Sequence, residues 1–219
     1  MPDDRQTEKP LWSAAVFVRP MGKAWVKARH HDRFYRAAKK QAYRSRAAIK
    51  LSQIDRRYGL FREGDVVVDL GAAPGGWSQI ARERVGPSGR VLAVDPTAIA
   101  PLTGVEILRG DFREPRVQAL LFEKLGRPGD VVVSDMSPRL SGHPAVDVAR
   151  SLDLAEAALT FAIRALRPGG QFLVKVFQGD GYREYVRGVA EHFSQTKGVK
   201  PSASSGASSE IFVLGQGRI

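Results

Sequence analysis

Val66-Val67-Val68-Asp69-Leu70-Gly71-Ala72-Ala73-Pro74-Gly75-Gly76-Trp77 decides the fold. Five residues, mostly β-branched and apolar, predict a short buried strand over Val66–Leu70. A loop of Gly, Ala and Pro follows, and apolar periodicity from Trp77 to Val85 predicts a helix. Small residues let a loop backbone approach a ligand closely, and the helix N-terminus offers unpaired N–H groups. The spacing of Gly71, Gly75 and Gly76, with Pro74 stiffening the turn, misses the G-x-G-x-x-G of a dinucleotide site, and no phosphate-loop lysine is present. Asp69 would repel a pyrophosphate. A nucleoside without phosphates suits the loop better.

Outward from the loop the pattern alternates. Strands are expected at Arg90–Asp95, Val105–Leu108, Asp130–Ser134 and Gln171–Phe177. Helices are expected at Glu114–Leu125, Val148–Leu166 (closed by Pro168-Gly169-Gly170) and Tyr182–Phe193. Thr196–Lys200 and Glu210–Leu214 read as two last strands around the Ser-rich loop Ser202–Ser209. Before the loop, His30–Lys40 and Ser45–Tyr58 read as helices, the second stopped by Gly59. Such alternation predicts an α/β fold, a mostly parallel seven-stranded Rossmann-like sheet with helices on both faces. Ligands of these sheets sit beyond the carboxyl ends of the strands. Asp95 closes the second strand, where an acid can take the two hydroxyls of a ribose. Asp111, just past the third, could meet an adenine edge. Loop, Asp95 and Asp111 together point to S-adenosylmethionine as cofactor.

The 219 residues carry no Cys and a formal charge of +11. Residues 1–62 hold 16 Lys and Arg against 5 Asp and Glu, while residues 63–219 hold 18 against 18, so the whole excess sits at one end. A one-ended charge suggests a platform for a polyanion, with nucleic acid foremost, although a solubilising tail has the same composition. Trp25, Phe34, Tyr35 and Tyr43 interleave with the cations and favour RNA, since rings stack on unpaired bases. Residues 1–29 are expected to be a weakly ordered tail and residues 30–219 one domain, with 30–62 as its basic RNA platform. The polar Met1–Pro10 does not read as a secretory signal, and no apolar run reaches membrane-span length. A cytoplasmic location, a monomer and no membrane partner are the expectations.

Four charged residues fall at element edges: Lys50, Asp135, Lys175 and Glu210. Lys175 interrupts the apolar Phe172–Phe177, where an unpaired buried lysine would cost several kcal/mol. Taken singly, a strand lysine is more often an edge residue with a solvated head, Asp135 could cap a turn, and Lys50 and Glu210 could be surface charges.

Arg44–Leu51, Asp69–Gln79, Gly110–Arg113, Ser134–Pro138 and Val174–Gly179 resemble the FtsJ/RrmJ ribose 2′-O-methyltransferases, a likeness running from about residue 30 to the C-terminus. The resemblance implies a catalytic Lys–Asp–Lys–Glu tetrad at Lys50, Asp135, Lys175 and Glu210. It implies cofactor contacts at Gly75, Trp77, Asp95, Asp111 and Asp135. The implied reaction is S-adenosylmethionine-dependent methylation of an RNA 2′-hydroxyl, a uridine in the A loop of 23S rRNA for the best-known members. The alternative is a tRNA anticodon loop. Asp32–Lys40 looks more like the archaeal rRNA and eukaryotic tRNA branches than the bacterial one.

The residues can do this chemistry without a metal. A 2′-hydroxyl must lose its proton as it attacks, and a lysine base would need its pKa brought down from near 10.4. Burial, Lys50 and a sulfonium push that way, whereas Asp135 and Glu210 oppose it, so Lys175 is either a base or a positioner. The loop spacing argues against a nicotinamide oxidoreductase. All four tetrad residues argue against a non-catalytic RNA-binding module.

Overall fold

In the computed structural model, which describes residues 43–204 and 208–219, Val66–Leu70 is β1, buried at all five positions. Along the chain follow α1 (Ala47–Tyr58) ahead of β1, then α2 (Gly76–Val85), β2 (Arg90–Asp95), β3 (Val105–Arg109), α3 (Pro115–Leu125) and β4 (Gly129–Ser134). After these come α4 (Pro144–Ala165), β5 (Leu166–Phe177), α5 (Tyr182–Ala190), β6 (Phe193–Val199) and β7 (Glu210–Arg218). The tail expected over residues 1–29 and the helix expected over His30–Lys40 lie outside the described residues.

The seven strands order as β3-β2-β1-β4-β5-β7-β6. The four pairings among β1 to β5 are parallel, and β7 runs antiparallel to both β5 and β6. The sheet is therefore mostly parallel, as the alternation predicts. Side-chain alternation divides the core between its faces. Val66, Val68 and Leu70 join Leu121 of α3, Phe161 of α4 and Val189 of α5 on one face. Val67, Val131, Leu173 and Phe212 join Leu51 and Ile54 of α1 and Ile80 of α2 on the other. Because β1 connects through β2 and β3 on one side and adjoins β4 on the other, a crevice opens at their carboxyl ends.

Gly59 ends α1 as its sequence suggests, with φ 62° and its N–H donated to Asp55 O. Several boundaries differ from expectation. Helix α4 starts at Pro144, four residues early, because proline suits the first turn and Asp147 accepts both the N–H and the Oγ–H of Ser141 just upstream. Strand β5 starts at Leu166 and absorbs Pro168-Gly169-Gly170, since Leu166 pairs with Gly129 and Gln171 with Val131 across a bulge. Helix α5 stops at Ala190 rather than Phe193, because Phe193 starts β6, pairs with Arg218 and stacks on Phe172. Strand β7 continues to Arg218 because it lies between two partners, whose ladders bond both edges.

Candidate active site

Leu70 ends β1 and Gly71 turns the chain with φ 72°. A Cβ there would lie 2.1 Å from Met136 Cγ, so only glycine lets the loop after β4 close over the loop after β1. Asp69 is buried on the α2 side, where its carboxylate accepts the Ser78 hydroxyl at 2.6 Å and the Ser78 N–H. It thus caps the first turn of α2 from the strand, in place of the side-chain cap that Gly75 lacks. Burial pushes its carboxyl up to about 7; the Ser78 hydrogen bonds pull down, while the neighbouring Asp135 and Asp95 add to the rise.

A cleft of about 390 Å³ opens beyond β1, β2 and β4, lined among others by Gly71, Asp95, Asp111, Phe112, Asp135 and Met136. Asp95 Oδ2 accepts the N–H of Ala73 at 3.0 Å and Oδ1 that of Thr97 at 2.7 Å. Each oxygen keeps acceptor capacity toward the cleft. Asp111 is held by Arg113 through Nε (3.0 Å) and Nη2 (2.5 Å), and its pKa lies below the ordinary value, chiefly through that hydrogen bond against some burial. A smaller cavity of about 120 Å³, lined by Ser45, Asp69, Gly76 and Trp77, shares Gly71, Ala73 and Asp135 with the cleft. Together the two make an elongated site bent at Asp135.

At that bend the four charged residues meet. Lys175, half-way into the apolar end of β5, has its side chain only 5% exposed. Its ammonium donates to Asp135 O at 2.8 Å and lies 3.1 Å from Asp135 Oδ1 and 3.8 Å from Glu210 Oε1. Lys50, equally buried on α1, donates to Glu210 Oε2 at 2.8 Å and sits 5.8 Å over the Phe212 ring. Glu210 starts β7, and the antiparallel direction of that strand brings its first residue opposite Phe177, the last of β5. Burial raises the Asp135 carboxyl above its usual range in spite of the Lys175 and Lys50 charges. For Glu210, burial also pushes upward, but the Lys50 hydrogen bond and the charges of Lys175, Lys50 and Arg46 outweigh it and hold the carboxyl low. The unpaired-lysine penalty at Lys175 is thereby avoided.

Of the expected cofactor positions, Asp95, Asp111 and Asp135 line the cleft, and Trp77 lines the smaller cavity. The Trp77 indole turns away to donate to Ala47 O at 2.9 Å, which ties α2 to the helix carrying Lys50. Gly75 stands farther back; its N–H bonds Ala72 O, and a Cβ would press on Leu102 and Arg44. Sequence reasoning missed Arg44 as a strut. Its guanidinium donates to Ala100 O and Pro101 O, both at 2.6 Å, and to Pro74 O at 3.3 Å. It joins the start of the described chain to both loops beside the cleft. Ser78 was also missed; its place in the first turn of the helix that Asp69 precedes by one loop was the available signal.

The FtsJ-like methyltransferase family profile matches residues 43–218. The ribosomal RNA large subunit methyltransferase E of Nitrosospira multiformis is 50% identical over 197 residues, covering 90% of this chain and 96% of that one. The protein of the same name from Azoarcus is 51% identical over 194 residues, covering 88% and 95%. Both relatives are bacterial, so the archaeal and eukaryotic look of Asp32–Lys40 does not extend to the chain as a whole. Among solved structures, a ribosomal RNA methyltransferase from Plasmodium falciparum superposes with a TM-score of 0.72 at 24% identity, covering 80% of this chain and 98% of that one. An S-adenosylmethionine-dependent O-methyltransferase from Thermotoga maritima gives 0.52 at 15% identity, covering 77% and 64%. These two likenesses concern the fold.

Proposed function

The chain belongs to the FtsJ-like methyltransferase family, and from that premise we propose that it methylates a ribose 2′-hydroxyl of large-subunit ribosomal RNA. The observation that carries this reading is the buried cluster of two lysines and two carboxylates, with contacts of 2.8–3.8 Å, at the bend of an elongated cleft. S-adenosylmethionine supplies a methyl group on a positively charged sulfonium. The cleft fits its nucleoside end: Asp95 keeps an acceptor site on each oxygen for the two ribose hydroxyls. Asp111 faces the base position, and Arg113 must yield one of its bonds for the carboxylate to take an amino group. The smaller cavity, walled by Asp69 and the start of α2, suits the amino-acid end.

In this reading the attacking oxygen arrives beside Lys175, whose ammonium bonds the backbone of the cleft residue Asp135. Two ammonium and two carboxylate groups balance in the cluster, so a sulfonium alongside leaves one net positive charge and favours expelling a proton. In our assignment Lys175 gives up that proton to solvent when the sulfonium is bound and, as the neutral amine, receives the 2′-hydroxyl proton as the oxygen–methyl bond forms. Asp135 and Glu210 keep its amine aimed, and Lys50 fixes Glu210. The oxygen would take the methyl group that bound S-adenosylmethionine supplies, with the sulfur–methyl bond breaking as the oxygen–methyl bond forms.

Within this reading the target is a uridine of the A loop, the enzyme acts as a cytoplasmic monomer, and residues 30–62 form the RNA platform of a single domain over residues 30–219. No helix among the described residues is long and apolar enough to cross a membrane. The test is transfer of tritium from labelled cofactor to isolated large subunits, naked 23S rRNA and total tRNA, with the modified nucleotide mapped. Label in the large-subunit RNA at a 2′-O-methyl supports the reading. Label confined to tRNA, or to a base, overturns it.

A further inference from the structure

On the far side of the cluster from the cofactor cleft, a groove of about 340 Å³ runs between α1 and the end of β6. The sheet order sets this polarity: the cleft lies beyond β1 to β4, and β6 is the opposite edge, with β5 and β7 between. Arg46, Lys50, Gln53 and Arg57 recur at i, i+4, i+7 and i+11, one stripe along α1. Arg57 follows Lys50 by two turns, about 10 Å along the axis. The stripe therefore leads from the reacting centre into the groove.

The groove wall is cationic and aromatic. Arg57 and Lys200, both exposed, stand on its rim, and Tyr58 and Pro201 line it. The Arg57 guanidinium lies 5.3 Å from the Tyr58 ring and the Lys197 ammonium 5.8 Å from it. Gln53 Oε1 accepts from Ser202 Oγ and Ala203 N, both at 3.1 Å, which holds the loop after β6 against α1 and leaves the Gln53 amide nitrogen as a donor. Lys200 donates to Ser208 O at 2.8 Å while the residue stays exposed on the rim. No Asp or Glu is among the described residues lining the groove.

We propose that this groove is a subsite for a nucleotide flanking the methylated ribose, in an unpaired segment of the RNA substrate. Arg57 and Lys200 take its phosphate, and its base stacks on the Arg57–Tyr58 pair against Pro201. The proposal rests on the RNA methylation reading above, since it takes its direction from the cluster at Lys50.

The test compares the full chain with Arg57→Gln/Lys200→Gln in steady-state methylation of 23S rRNA and in RNA binding over a salt series. The two cations share one phosphate, and a phosphate contact on a single strand contributes a slope of about 0.7, so losing it lowers the slope of log affinity against log salt by about 0.7 and, at 0.1 M salt, weakens binding about 5-fold. We expect the Michaelis constant for RNA to rise on that scale, with kcat and S-adenosylmethionine affinity kept. Tyr58→Leu, which keeps an apolar side chain but no ring, should raise the same constant without changing the salt slope. An unchanged Michaelis constant and slope in the double variant overturns the subsite, as does a fall in kcat alone. Failure of the unaltered protein to methylate rRNA overturns the underlying reading instead.

Discussion

Replacing Lys175 by methionine keeps the volume of the side chain in the apolar run of β5 and removes its ammonium. Asp135 then loses a charge 3.1 Å away, and Glu210 one at 3.8 Å. Orphaning a buried charge costs about 3–5 kcal/mol. Protonation caps that cost: starting from an ordinary carboxyl near 3.9, neutralising Asp135 at pH 7 takes at most about 4 kcal/mol at 1.36 per unit. Burial already raises this carboxyl, so the real penalty is smaller. The raised pKa gives the sign. The variant is most destabilised at high pH and recovers relative to the unaltered protein as pH falls through the Asp135 pKa. Turnover should fall about 10²–10⁴-fold, the usual worth of a positioned proton acceptor, or about 3–5 kcal/mol of barrier. Single-turnover tritium transfer at saturating RNA measures the loss, calorimetry checks that cofactor affinity holds, and thermal melts over pH 5–9 follow Asp135. Turnover like that of the unaltered protein at neutral pH would falsify the assignment of Lys175 as proton acceptor.

Asp95→Ala should weaken S-adenosylmethionine binding by about 1.5–3 kcal/mol for each ribose hydrogen bond lost to a charged acceptor, and an unchanged dissociation constant by calorimetry removes Asp95 from the cofactor site. Asp69→Asn should flatten part of the stability profile between about pH 4 and 7. The Asp69 pKa is raised to about 7, so its favourable contribution is complete below the unfolded value near 4 and is lost as pH rises through 7. Over about three units this amounts to at most on the order of 4 kcal/mol, and parallel melting curves for the two proteins would refute it. Neutralising Arg33, Arg36, Lys39 and Lys40 together should raise the Michaelis constant for RNA and reduce the salt slope by up to about 2.8 for a single-stranded substrate, leaving cofactor affinity alone; unchanged RNA affinity and slope would make the basic end a solubility device.

Much of the fold was legible because strand, turn and helix signals are local. Val66–Leu70, the start of α2 and the Gly59 stop each depend on residues within a few positions of one another. The early start of α4 is set locally, by Pro144 and the Ser141–Asp147 bonds, but the strand boundaries that moved are set by distant partners. Pro168-Gly169-Gly170 reads as a helix stop, yet pairing with β4 draws it into β5 as a bulge. The reach of β7 to Arg218 follows from two flanking ladders that no local pattern announces.

The same division holds at the site. By itself the sequence determined which side chains stand at the ends of elements, and so which could reach a ligand beyond a parallel sheet: Asp95, Asp111, Asp135, Lys175 and, at the start of its strand, Glu210. It also determined that all the excess charge lies in residues 1–62. Only the tertiary structure decided the pairing, in which Lys50 bonds Glu210 across 160 positions and Lys175 bonds the backbone of Asp135 across 40. It alone turned Asp69 inward to Ser78 and set Trp77 to brace α1. The physical reason is range. Propensity and periodicity act over a turn or two of chain, whereas the buried charges are stable only with partners that the sheet order brings together.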